Sequence, residues 1–109
     1  PGTYNFRLQR RADWSLILQF KDSSDAAINL SGYTVYAQAW DRARSTKYAD
    51  FTVAYTDRAA GTVTISLTDT QTATFIDELY YDVLLENGSG LREYYLEGII
   101  FVSEGYTSP

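Results

Sequence analysis

Two pairs of acids stand close together in this sequence, Asp77 with Glu78 and Asp82 with Glu86, and paired carboxylates are what glycoside hydrolysis requires. Neither pair is specific. The first falls in a turn and the second on polar positions of a strand, where any acidic surface supplies such neighbours. Asp22 and Asp25 in "KDSSDAA" offer oxygens to Ca²⁺, but the stretch lacks the alternating Asp/Asn ligands, the Gly and the closing Glu of a calcium loop. Arg7, Arg10, Arg11, Arg42, Arg44 and Lys47 would suit phosphate, yet no Gly-rich loop accompanies them. The chain has neither His nor Cys. That removes the usual proton shuttle, the commonest zinc ligand and every Ser-His or Cys-His nucleophile pair. The expectation is a protein that is not an enzyme and needs no metal or cofactor.

The residues that stand out are aromatic. In "NLSGYTVYAQAW" one alternate set, Tyr33, Val35, Ala37 and Ala39, suits a sheet interior. The opposite set carries Tyr36 and Trp40. Ile17 on an earlier strand, and Ile99 with Phe101 on the last, are likewise out of phase with the inward faces. Two explanations compete for Ile17, Tyr36, Trp40, Ile99 and Phe101: strands buried on both sides by a loop or helix, or a surface that another protein covers, and the second is the expectation. Burial of five such side chains contributes on the order of 10 kcal/mol before association costs. Trp and Tyr dominate binding hot spots, and left bare such a patch invites aggregation.

The elements that hold these residues read as strands. "TYNFRLQR" alternates Tyr4, Phe6 and Leu8 against Asn5, Arg7 and Gln9, and "DWSLILQF" alternates Trp14, Leu16, Leu18 and Phe20 against Ser15, Ile17 and Gln19. A third strand runs from Tyr33, after a Ser-Gly turn, and "DRARSTKYA" follows as a charged connection with room for a helical turn. Asp50 to Thr56 and "TVTISLT" make a hairpin closed by "DRAAG". Asp69 reads as the N-cap of a short helix that brings Ala73 and Phe75 or Ile76 to one side. "LYYDVLLE" and "LREYYLEGIIFVSE" form the last hairpin, with Asn87-Gly88 supplying positive φ. Some seven strands at this spacing, with one short helix, make an all-β sandwich or small barrel.

Composition agrees with one domain. The 109 residues suffice for a single core, 45% are hydrophobic, and the 16% aromatic content favours pleated, half-buried surfaces. Residues 1–104 are expected to form the sandwich and 105–109 an extended tail. Pro1 is a residue that normally follows a removed initiator Met, so the natural chain is expected to begin there. No apolar run approaches the roughly 20 residues that span a bilayer, and no secretory signal is visible, so a soluble chain with no membrane role is expected. The net charge of −5 argues against nucleic-acid binding. It is unevenly spread: residues 1–47 hold seven Arg/Lys and four Asp, a net of +3, and residues 48–109 hold two Arg and ten acids, a net of −8. Either the halves interleave and the charges average, or a polar surface docks head to tail on a neighbour.

Across nearly the whole chain, the succession "TYNF", "WSLILQFKDSSDAAINLSGYTVYAQAW", "GTVTISLTDTQTATF" and "YYDVLLENGSGLREYYLEGIIFVSEG" resembles small tailed-phage and prophage virion proteins. The pattern is similar to the N-terminal domain of phage baseplate upper proteins. The matching positions are Asp22, Leu30, Gly32, Tyr33, Gly61, Thr72, Tyr81, Asp82, Leu96, Glu97 and Gly98, most of them framework residues. The resemblance implies an immunoglobulin-like antiparallel β-sandwich and a virion structural protein, assembled in the host cytoplasm. Its role would be that of a baseplate or tail adaptor that helps attach tail fibres or tailspikes, present in many copies in a symmetric assembly. Its partners would be baseplate, tail fibre or capsid subunits. This chain departs from the family in stopping soon after its last strand, which implies a stand-alone adaptor, and in carrying Tyr36 where the family is commonly basic. Two other readings compete: a capsid cement or decoration protein bridging capsomers, and a carbohydrate-binding sandwich that stacks sugars on Trp14, Trp40 and tyrosines.

Overall fold

A computed structural model of the protein describes residues 2–109. In chain order the elements are β1 (Gly2–Thr3), β2 (Phe6–Gln9), β3 (Trp14–Gln19), β4 (Thr34–Trp40), β5 (Lys47–Asp50), β6 (Thr52–Asp57), β7 (Thr62–Leu67), α1 (Asp69–Thr72), β8 (Glu78–Glu86) and β9 (Arg92–Ser103). They form two sheets. The larger runs β1-β9-β8-β4-β5 with β2 also on β9, and the smaller runs β3-β7-β6. The chain is an all-β sandwich, as the alternating pattern implies. All pairings are antiparallel except those of β1 and β2, which lie parallel to β9.

The inward set of each strand fills the space between the sheets. Phe6 and Leu8 of β2, Val35, Ala37 and Ala39 of β4, Val63, Ile65 and Leu67 of β7, and Leu79, Tyr81, Val83 and Leu85 of β8 are all buried, together with Phe20, Leu30, Phe51 and Phe75. Trp14 belongs with them. Its indole stacks on Phe6 at 4.2 Å and meets Phe51 edge-on at 5.8 Å, so it bridges the sheets and offers no outward stacking platform.

Several local expectations give way to tertiary structure. The first strand breaks at Tyr4 and Asn5, because the Tyr4 carbonyl accepts the buried Tyr81 hydroxyl at 2.6 Å and the Asn5 side chain accepts the Ile99 N–H at 2.9 Å. "DRARSTKYA" holds no helical turn. Asp41 instead caps a tight turn, accepting from Ser45 and Thr46 N–H groups at 2.7 and 3.2 Å, and the chain continues as β5. The strand expected from Asp50 to Thr56 starts after Phe51, where the chain leaves the large sheet for the small one. Thr68, not Asp69, caps α1, in a reciprocal capping box with Gln71, and the helix buries Thr72 while Ala73 stays exposed. In the last hairpin Gly90 takes positive φ and Asn87 works through its side chain, accepting from the Ser89 and Leu91 N–H groups.

The oppositely charged halves interleave. Arg10 donates to the Phe75 carbonyl and pairs with Asp77 at 2.9 Å and with Glu104, and Arg11 pairs with Glu104.

Gly98 is required where the broken N-terminal strand crosses β9. A Cβ there would stand 1.9 Å from the Tyr4 carbonyl oxygen and 3.0 Å from the Tyr81 ring. Gly98→Ala is expected to cost about 1–3 kcal/mol, as forced overpacking does, read as a lowered urea midpoint. An unchanged midpoint would mean that Tyr4 is not held against β9.

Candidate functional site: an aromatic and acidic groove

The outward set of the large sheet is arranged in cross-strand rows, because register pairs residues of like phase on β4, β8 and β9. Trp40, Tyr80 and Ile99 form one row, and Tyr36, Leu84 and Tyr94 another. Between them lies a polar row of Gln38, Asp82 and Glu97. Successive rows are two residues apart along β4 and β8, about 6.7 Å, while on β9 an extra residue separates Glu97 from Tyr94. Together the rows floor a groove of about 720 Å³. The β4–β5 turn, with Arg42 and Arg44, and the N-terminal residues Thr3 and Asn5 also line it.

Packing fixes the aromatic row at one end. The Trp40 indole N–H donates to the Gln38 side-chain oxygen at 3.0 Å, and the Arg44 guanidinium lies 4.6 Å above the Trp40 ring, a cation–π distance. The Tyr80 hydroxyl donates to Glu78 at 3.1 Å. The other row is more open, with Tyr36 43% and Tyr94 57% exposed.

The polar row is electrostatically uneven. Asp50, beside Gln38 on β5, pairs with Lys47 at 2.9 Å, and that bond, with help from Gln38, holds its carboxyl below the usual range. Asp82 and Glu97 sit directly opposite each other, and among the described residues neither carboxylate accepts a hydrogen bond or an ion pair. Burial, and then the charge of Glu97, push the Asp82 carboxyl up, while Arg44 acts in the opposite direction.

The residues singled out in the sequence occupy two separate surfaces. Tyr36, Trp40 and Ile99 line the groove. Phe101 lies on the same face, half-buried between Glu78 of β8 and Arg7 of β2, beyond the groove's end. Ile17 projects from the outer face of the small sheet, 70% exposed and paired with Thr64. Its row continues through Thr64 to the small exposed Ala54 amid polar residues of β3, β6 and β7, and it is not part of the aromatic surface.

Sequence reasoning missed Tyr80, Leu84 and Tyr94. The first two follow from the alternation of "LYYDVLLE", whose inward set is Leu79, Tyr81, Val83 and Leu85. Tyr94 was hidden by a bulge: Val83 faces Leu96 but Leu84 faces Tyr94, so Tyr95 is an extra residue and the phase of β9 flips. Of the acids, Asp82 meets Glu97 and not Glu86, which pairs with Arg92 at 2.7 Å. Asp22 accepts the N–H groups of Ser24 and Ala26, the work of a turn-forming side chain, and no His/Cys/Asp/Glu group among the described residues is arranged to hold a metal. The basic residues do not converge, since Arg10 and Arg11 are tied to Glu104 while Arg42 and Arg44 stand on the β4–β5 turn.

Two stacked sheets of this order make the protein an immunoglobulin-like β-sandwich. The chain is similar to the Lin-41 filamin domain (14% identity, covering 91% of this chain and 84% of that one, TM-score 0.50). It is also similar to the N-terminal Ig1-2 module of the Drosophila receptor protein tyrosine phosphatase DLAR (16%, 100% and 48%, TM-score 0.52) and to the GspB Siglec domain (17%, 100% and 57%, TM-score 0.51). The chain spans about half the length of the latter two. At these identities the likeness is one of fold. No protein-family model and no curated protein sequence matches the chain.

The raised Asp82 carboxyl has a signed consequence. A carboxyl whose pKa is higher folded than unfolded favours the folded state only while protonated. Its contribution is therefore present below the unfolded value of about 3.9 and is lost as pH rises through the folded value. Asp82→Asn is expected to raise Tm relative to the parent at pH 7, with the difference closing near pH 3, as followed by circular dichroism. A variant less stable than the parent at pH 7 would show that Asp82 is satisfied in the fold.

Proposed function

We propose that this protein is a non-enzymatic binding module that works through the outer face of its large sheet. One observation carries this reading: a sandwich whose core is already filled still lays two rows of aromatic and aliphatic side chains across a groove on its exterior. Such a face is stable in water only as a binding surface or at the cost of solubility, and its Trp40–Tyr80 row has the composition of a hot spot. The absence of His and Cys leaves little nucleophilic or proton-transfer chemistry for the same groove.

The more specific reading is a structural protein of a tailed-phage particle, an adaptor at the baseplate or tail that helps attach fibres or tailspikes. The support for it is the sequence resemblance to phage baseplate upper proteins, whose framework positions Gly61, Tyr81 and Gly98 hold turns and strand crossings here. In that setting the partners are other virion proteins, and repeated moderate contacts add through avidity. A second reading has a specific observation in its favour: aromatic rows flanking Gln38, Asp82 and Glu97 also suit a carbohydrate, with rings to stack on and oxygens to accept hydroxyl hydrogens.

Immunogold labelling of particles purified from the source lysate is expected to mark the tail end. Label spread over the head would replace the tail adaptor by a capsid decoration role, and unlabelled particles would end the virion reading. A Trp40→Ser/Tyr80→Ser double variant is expected to fold with a Tm near the parent's and to be lost from particles. Unfolding of that variant would show these rings to be structural. A glycan array positive only for the parent would favour carbohydrate.

A further inference from the structure

Along β4 and β8 the three rows of the groove repeat at about 6.7 Å, the distance between side chains on one face of any extended chain. A strand-like segment laid along β4 and β8 would therefore set successive inward side chains against an apolar row, an acidic row and an apolar row. The acidic row fixes what belongs in the middle. Asp82 and Glu97 are like charges directly opposite each other, an arrangement that costs stability on a sheet face. Among the described residues no cation pairs with either: Arg92 is held by Glu86 and Lys47 by Asp50, Arg42 stands at the rim, and Arg44 lies over the Trp40 ring, acting on Asp82 only through space. Sugar hydroxyls would leave both charges in place. A guanidinium or ammonium would offset both, and a guanidinium can bond carboxylates bidentately while resting on aromatic faces.

Building on the interaction face proposed above, we infer that the groove receives an extended segment of a partner protein with the pattern apolar-x-Arg/Lys-x-apolar. The cation sits between Asp82 and Glu97. One apolar side chain rests on Trp40 and Tyr80, the other on Tyr36 and Tyr94.

The test uses the full chain, ¹⁵N-labelled, titrated with the peptide Gly-Ser-Leu-Ser-Arg-Ser-Leu-Ser-Gly, the same peptide with Glu replacing Arg, and a β-linked N-acetylglucosamine oligosaccharide. The Arg peptide is expected to shift the Trp40 indole and the amides of Gln38, Tyr80 and Tyr94. Its affinity should fall about tenfold in Asp82→Asn/Glu97→Gln, and the Glu peptide should leave the groove unperturbed. Equal binding of the Arg and Glu peptides, silence of the groove up to about 1 mM Arg peptide, or groove shifts from the oligosaccharide alone would each overturn the inference. Its failure is separable from that of the binding face itself. If Trp40→Ser/Tyr80→Ser is excluded from particles while Asp82→Asn/Glu97→Gln is incorporated normally, the face stands and the cationic occupant falls.

Discussion

An aromatic junction between the sheets holds this sandwich together. Phe6 on the large sheet stacks on Trp14 of the small one at 4.2 Å and meets Tyr81 edge-on at 5.1 Å, and Phe51, where the chain changes sheets, closes on Trp14 and Tyr81 at 5.8 and 6.1 Å. No disulfide is available to do this work, since the chain has no cysteine. Large rings are suited to it because each removes a large apolar area from water and adds a specific edge or face contact. Once Phe6, Trp14, Phe51 and Tyr81 face inward, every strand they sit on has its phase set, and the partners of those strands follow by register.

The groove is the complement of that commitment. With Tyr81 inward on β8, Tyr80 and Asp82 must point out; with Val35, Ala37 and Ala39 inward on β4, Tyr36, Gln38 and Trp40 must do the same. The small sheet resolves the identical constraint differently. Its outward positions on β7 are Thr62, Thr64 and Ser66, which interact well with water, and the large exposed aliphatic Ile17 has only Thr64 and the small Ala54 in its row. The two exteriors of one sandwich thus have different chemistry, one hydroxyl-rich and one aromatic with a carboxylate pair at its centre.

That carboxylate pair also separates possible ligands by charge as well as shape. Aromatic surface alone accepts many apolar or sugar ligands, whereas two facing acids with no cation bonded to them among the described residues favour a ligand that brings positive charge. The β4–β5 turn matters here because it places Arg44 over Trp40, close enough to lower the cost of Asp82 without pairing with it. In the proposed binding role, apolar area would supply affinity and the central charge selectivity, the division of labour found at protein interfaces generally.

Much of this was written in the sequence, because a two-residue alternation needs only neighbouring residues to be read. The all-β class, the inward sets of β3, β4, β7 and β8, and the outward placement of Tyr36 and Trp40 all follow from it. The sequence also excluded His- and Cys-based chemistry outright. What it could not supply were features that depend on residues far apart in the chain. Trp14 looks like a possible surface platform until Phe6 and Phe51 are seen to enclose it. The first strand looks continuous until Tyr81 and Gly98 draw Tyr4 across β9. Tyr94 changes face only because Tyr95 bulges out of the pairing with β8. Asp82 looks like a partner of Glu86, four residues on, yet the register of β8 against β9 puts Glu97 beside it. Phase is a local property and was legible; register, bulges and cross-sheet contacts are set by packing between distant segments, and those alone gathered the aromatic rows and the acid pair into one groove.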